Sequence, residues 1–243
     1  MVGRDLTPSP ERAAIVRWTA RLGAVTADAL AIHEDASLAA ARRRLGALET
    51  AGWLVRTRPL AGRPALYTAT RTGLRIAGLC GLGPCRVSAA GAQHLIECAR
   101  VAAVLERRYP DHLVAGEREL RRDERERGAP LASARLGTGP RGEPLLHRPD
   151  LVLWPEVCAG EAHGPGGGAV GRAVADGRPV AVEVELTVKA PRRLAEICLA
   201  WARCRSVAGV VYVAPPEVGR ALARAIERSA AHGRIVVVEL DAL

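Results

Sequence analysis

Phenylalanine and asparagine are absent from this chain, methionine occurs once, and Lys189 is the only lysine among 35 basic residues. No run of eighteen apolar residues is present, which excludes a membrane-spanning helix. The opening residues, Met1-Val-Gly-Arg-Asp-Leu-Thr-Pro, lack the apolar stretch and small-residue cleavage site of a secretory signal, so the expectation is a cytoplasmic protein. A GxGxxG turn and a P-loop are also missing, and no Ser-His-Asp pattern stands out, which argues against nucleotide-driven and acyl-transfer chemistry. The paired CxxC knuckles of a zinc ribbon are absent. Cys80, Cys85, Cys98, Cys158, Cys198 and Cys204 read as reduced, mostly packed thiols.

What remains is rich in Ala, Gly, Arg, Val and Pro, the signature of GC-rich coding, so part of the arginine content stands where lysine would elsewhere. The net charge of +9 is nonetheless physical, and it favours an anionic polymer as partner through phosphate neutralisation. At 243 residues the chain is long enough for two modest domains, each with its own core.

In the N-terminal third, Ala14, Ile15, Trp18 and Leu22 recur at helical spacing after Pro10, and Gly23 ends that helix. Thr26 caps a short second helix, Ala27 to Ile32. Ser37 caps a third, which runs to about Thr50 and which Gly52 stops. The period then changes to two. Trp53 to Arg58 and Ala65 to Ala69 read as strands, with turn residues from Pro59 to Pro64 between them. Three helices followed by a β-hairpin is the order of a winged helix-turn-helix, placed here at residues 8–80. The string from Ala41 to Arg56 resembles the recognition helix and first wing strand of bacterial winged-helix regulators. Double-stranded DNA is therefore the expected partner. Ser37, Arg42, Arg43 and Arg44 would lie at the major groove, and Arg56, Arg58 and Arg63 around the wing. Residues 1–75 hold twelve arginines against six acids, so 12 − 6 leaves +6 of the excess charge there. A winged helix used only for protein contacts, and a homodimer, both stay open.

A helical connector follows, with a domain boundary expected near 80–90 and a helix from Ala92 to Tyr109. Beyond it, strands are expected at 112–118, 148–154, 179–187, 207–213 and 235–240, with helices at 191–204 and 217–232. Residues 129–148 read as a loop or irregular hairpin, and the Gly-rich stretch 155–179 as a flexible insertion. The fold class is α/β (α+β), with residues 90–243 forming a mixed sheet in αβββαβ order.

The third of these strands alternates cleanly, so Ala181, Glu183, Glu185 and Thr187 share one face. Two carboxylates at i and i+2 repel unless water, arginine or a cation intervenes, and Mg2+ prefers such oxygen ligands. Pro149-Asp150 followed by Glu183-Val-Glu185 resembles the PD-(D/E)xK nuclease motif in its ExE variant. That resemblance implies Asp150 and Glu183 as ligands of Mg2+ (or Mn2+) and Glu185 as the water-orienting residue. It also implies a helix glutamate, Glu97 with Glu117 as rival. The usual lysine is missing from the third position, and Lys189 would have to swing back to replace it.

Across most of residues 10–240 the layout resembles the replication-relaxation family of actinobacterial plasmid and mobile-element proteins. The stretches that carry this are Ala92-Gln-His94-Leu-Ile-Glu97, His147-Arg-Pro-Asp150 and Val182 through Leu194. Three roles follow from the two resemblances: a metal-dependent nuclease or nickase, a non-catalytic DNA-binding regulator that retains the nuclease fold, or a structural partner in a replication or transfer complex. The alternative to a site is a solvated sheet face in which Arg192 and Arg193 pair with Glu183 and Glu185; the lone His94, His112 and His147 read as packed or hydrogen-bonded rather than ligands.

Overall fold

A computed structural model describes residues 9–155 and 178–242, so the Gly-rich insertion lies almost wholly outside the described residues. It is a mixed α/β structure that divides at Tyr109 into two compact units. No helix among the described residues is long and apolar enough to cross a membrane.

The helices of the first unit start where the sequence supplies oxygen caps. Ser9 Oγ accepts from Arg12 N at 3.3 Å and opens α1 (Pro10–Leu22), which Gly23 closes at φ 94°. Thr26 Oγ1 accepts from Ala29 N at 3.1 Å at the start of α2 (Ala27–His33). Ser37 Oγ accepts from Ala40 N at 3.2 Å at the start of α3 (Leu38–Thr50). The hairpin of β1 (Leu54–Thr57) and β2 (Leu66–Ala69) is antiparallel, with Leu54 opposite Ala69. Val25 and Tyr67 exchange backbone hydrogen bonds of 3.0 and 2.8 Å, adding a third rung beside β2.

Trp18, Leu30, Leu45, Leu48, Trp53 and Leu66 are buried at the centre of this unit. In α4 (Arg71–Ile76), a β-carbon at Gly73 would lie 2.1 Å from the carbonyl oxygen of Trp53. Backbone cannot yield that space without displacing the entry to β1. Gly73→Ala is therefore expected to destabilise the first unit by about 2–3 kcal/mol. Thermal unfolding of the variant against the wild type checks this.

The next helix, α5 (Ala89–Arg108), packs against α2 and belongs to the first unit, which moves the boundary from the expected 80–90 to Tyr109. The attachment is partly polar. Trp18 Nε1 donates to Glu106 Oε2 at 2.8 Å, and His33 Nδ1 lies 2.7 Å from the same oxygen while stacking on Trp18.

The second unit begins with β3 (His112–Gly116) and α6 (Glu117–Arg127), then a hairpin of β4 (Ala134–Thr138) and β5 (Pro144–His147). There follow β6 (Leu151–Pro155), β7 (Val180–Val184), α7 (Pro191–Arg203), β8 (Gly209–Ala214), α8 (Pro216–Arg228) and β9 (Ile235–Glu239). The five-stranded sheet runs β3-β6-β7-β8-β9. Its first two pairings are antiparallel and its last two parallel. Val152, Trp154, Ala181 and Tyr212 pack with Leu120 of α6, Trp201 of α7 and Leu222 of α8 in one buried cluster. The face of β7 that carries Ala181 therefore looks toward these helices.

α6 starts where the sequence predicts the end of a strand, at 112–118. Its single Leu120 gives no apolar period. Instead Glu119, Asp123 and Glu124 are buried. Arg122 Nη2 lies 2.6 Å from Asp123, and Arg148 Nε 2.8 Å from Glu124, whose Oε1 also accepts from Leu131 N at 3.0 Å. Ion pairs cover these carboxylates where apolar contact would normally be found.

Candidate nucleic-acid interface and acidic centre

The inner face of α3 is set by Ala41, Leu45 and Leu48, all buried, which forces Arg42, Arg43 and Arg44 outward. The three then part company. Arg44 Nη1 lies 2.6 Å from Glu34 Oε2 and is committed to that pair. Arg43 borders a hollow lined by Glu11, Arg12 and Ile15 of α1. Arg42 turns toward the hairpin, where with Arg56, Arg58 and Arg63 it lines a cleft of about 680 Å³ between α3 and the two strands. Tyr67 forms part of the cleft wall, and the Arg56 guanidinium stands 6.0 Å from its ring. Among the described residues, Arg42, Arg43, Arg58 and Arg63 take part in no ion pair. Ser37 is exposed, with its Oγ engaged as the cap of α3.

The second constellation lies where β6 meets β7. Leu151 pairs with Val182 at the end of the ladder, and Asp150, the residue just before β6, is close enough to Glu183 to act on its charge. Asp150 Oδ2 accepts from Val184 N at 2.8 Å. Glu183 is only 6% exposed. Its Oε1 accepts from Trp201 Nε1 at 3.0 Å, and His147 Nε2 lies 2.7 Å away. Glu185 is 8% exposed and contacts the Lys189 ammonium. The alternating acids are thus buried rather than a solvated face.

Burial raises the Glu183 carboxyl above its ordinary value. His147 and Lys189 act to lower it, and Asp150 adds to the rise. Burial likewise lowers the Lys189 ammonium, opposed by Glu183 and Asp150. Cys198 beneath them is pushed up to about 11 by burial, which keeps it a thiol and agrees with the expectation of an inert packed cysteine.

No known protein family, curated protein or solved structure matches this chain.

The structure brings Asp150, Glu183, Glu185 and Lys189 onto adjoining strands and the loop that follows. It does not gather the three carboxylates around one point. Among the described residues, no three ligand atoms drawn from Asp150, Glu183 and Glu185 fall within 4.8 Å of one another. Each acid has its own partner: a backbone N–H, an indole with an imidazole, and an ammonium. None of their oxygens is a buried atom without a hydrogen-bond partner. The donor set as arranged therefore does not fit a shared divalent ion.

The helix glutamates also have other work. Glu97 sits on α5 in the first unit, where Gln93 Nε2 donates to it at 2.8 Å and Arg100 Nε at 3.0 Å. Glu117 opens α6 and pairs with Arg121. Arg192 and Arg193, the alternative partners of Glu183 and Glu185, instead pair with Glu196 on their own helix at 3.3 and 3.6 Å. Trp201 was not anticipated as a partner of Glu183. The signal for it is the apolar stripe Leu194, Ile197, Cys198, Trp201, which aims the indole at the face of β7 carrying the acids.

Proposed function

We propose that this chain binds duplex DNA through a winged helix-turn-helix formed by α1 to α3 and the β1–β2 hairpin. We propose further that its second unit is a non-catalytic domain of PD-(D/E)xK-like layout. The observation that carries the reading is the cleft between α3 and the hairpin, where four guanidiniums converge without an ion-pair partner among the described residues. Unpaired arginines beside a protruding hairpin suit phosphates, and α3 is long enough to enter a major groove. A role in plasmid or mobile-element replication or transfer, inside the cytoplasm, follows from the resemblance noted above. Fluorescence anisotropy with a labelled duplex of arbitrary sequence tests the binding. The expected outcome is saturable binding at 50 mM salt, displaced by unlabelled duplex; no binding at that salt overturns it.

One observation favours a second reading, metal-dependent phosphodiester cleavage: the Asp150 carboxylate stands near that of Glu183 and helps to raise it. Against it, Mg2+ would have to displace the His147, Trp201 and Lys189 contacts before finding three oxygens. We expect calorimetry with Mg2+ or Mn2+ to register no uptake, and supercoiled plasmid to stay uncut by wild type and Glu183→Gln alike. Nicking by the wild type that the Glu183→Gln variant loses would restore the nuclease reading.

A further inference from the structure

Gly46 occupies the interior of α3, and a β-carbon built there meets nothing within 4 Å. An interior helical glycine is less stable than alanine because its backbone loses more freedom on folding. Neither crowding nor a left-handed backbone requires glycine at this position. Its α-carbon faces the cleft, one turn along from Arg42 and opposite Arg56, Arg58 and Arg63 of the hairpin. The other charged groups lining the cleft are Asp28 and Glu49, so four arginines against two acids leave it at +2. A bare stretch of helix surface enclosed by guanidiniums accommodates a group that is anionic and must come close to the helix axis.

We infer that one backbone phosphate of the duplex seats in this cleft against the α3 backbone at Gly46, clamped by Arg42 from the helix and by arginines from the hairpin. This rests on the duplex-binding reading and adds to it the place of a specific contact. A phosphate carries no sequence information, so the cleft supplies affinity and register, and base choice falls to other parts of α3. Arg44 is outside this clamp because Glu34 already holds it.

The test is a size series at one position, Gly46→Ala and Gly46→Leu, with circular dichroism and melting to establish folding. Both variants are expected to melt no lower than the wild type, since the added atoms enter open space and improve helix propensity. Anisotropy with two duplexes of unrelated sequence should show affinity falling with side-chain size and equally for both. For Gly46→Leu the fall is roughly tenfold, the loss of about one charge-assisted contact. The slope of log K against log salt should flatten by about 0.9, the value for one phosphate. If the wild type binds and Gly46→Leu binds as tightly with the same slope, the seat at Gly46 is wrong while duplex binding stands. If the wild type does not bind, the underlying reading fails. Should Gly46→Leu melt early, Gly46→Ala decides by the same two readouts, with an unchanged slope again counting against the seat.

Discussion

Glu183→Ala is expected to lower the melting temperature of the second unit by roughly 10 °C, from a loss of about 3 kcal/mol at about 3 °C per kcal/mol for a chain of this size. Glu183 lies beneath α7, where its Oε1 receives Trp201 Nε1 and stands beside His147 Nε2. Truncation leaves an indole N–H and an imidazole without their acceptor in a buried place, and it opens a void beside Tyr212 and Cys198. The neighbouring pair gives the contrast. Lys189 keeps 39% of its side chain exposed, so Lys189→Ala should change stability by no more than about 1 kcal/mol.

Glu183 also imposes a pH dependence whose sign follows from its burial. The folded chain holds the carboxyl above its ordinary value of 4.5, so folding favours the protonated form. The associated stability is fully present below pH 4.5 and is lost as pH rises through the raised value. Glu183→Gln keeps the shape and removes the titration. Its deficit against the wild type should be largest in acid and narrow as pH rises, read as melting temperature across a pH series.

The second large effect lies in the cleft of the first unit. Replacing Arg42, Arg56, Arg58 and Arg63 together by alanine is expected to weaken duplex binding at least about a hundredfold near physiological salt. The salt slope should fall by at least about 0.9, the value for the one phosphate these arginines clamp. All four side chains are exposed and none forms an ion pair among the described residues, so the variant should melt close to the wild type. A quadruple variant that folds and binds unchanged would remove the cleft from the account.

Much of the first unit was legible because its signals are local. Ser37 and Thr26 cap α3 and α2 as their side-chain chemistry predicts, and Gly23 and Gly52 stop helices at positive φ. The change from helical to alternating period located both strands to within about two residues. The period also located α5, but not its place: the sequence assigns it to the 90–243 domain as its leading helix, whereas it belongs to the first unit. Its packing on α2 depends on Trp18, His33 and Glu106, residues far apart in the chain.

In the second unit, strands rich in Val and Leu announced themselves, and the 129–148 region proved to be the β4–β5 hairpin with an irregularity between Arg135 and Gly137. α6 stayed hidden because its buried face is built from Glu119, Asp123 and Glu124, residue types that read as solvent-facing. The acidic centre was half legible. Alternation put Glu183 and Glu185 on one face, and the motif set Asp150 beside them. Neither could show that Trp201 and His147 reach Glu183, or that Lys189 chooses Glu185 while the nearby arginines turn to Glu196. Those choices depend on α7 docking over β7, a tertiary event.

Duplex affinity of the wild-type chain, followed across a salt series, decides whether this protein holds DNA through its arginines. The expected result is binding to DNA of arbitrary sequence whose log K falls linearly with log salt, with a slope of at least about 0.9 in magnitude. Absence of binding at low salt, or binding indifferent to salt between 50 and 200 mM, would contradict it.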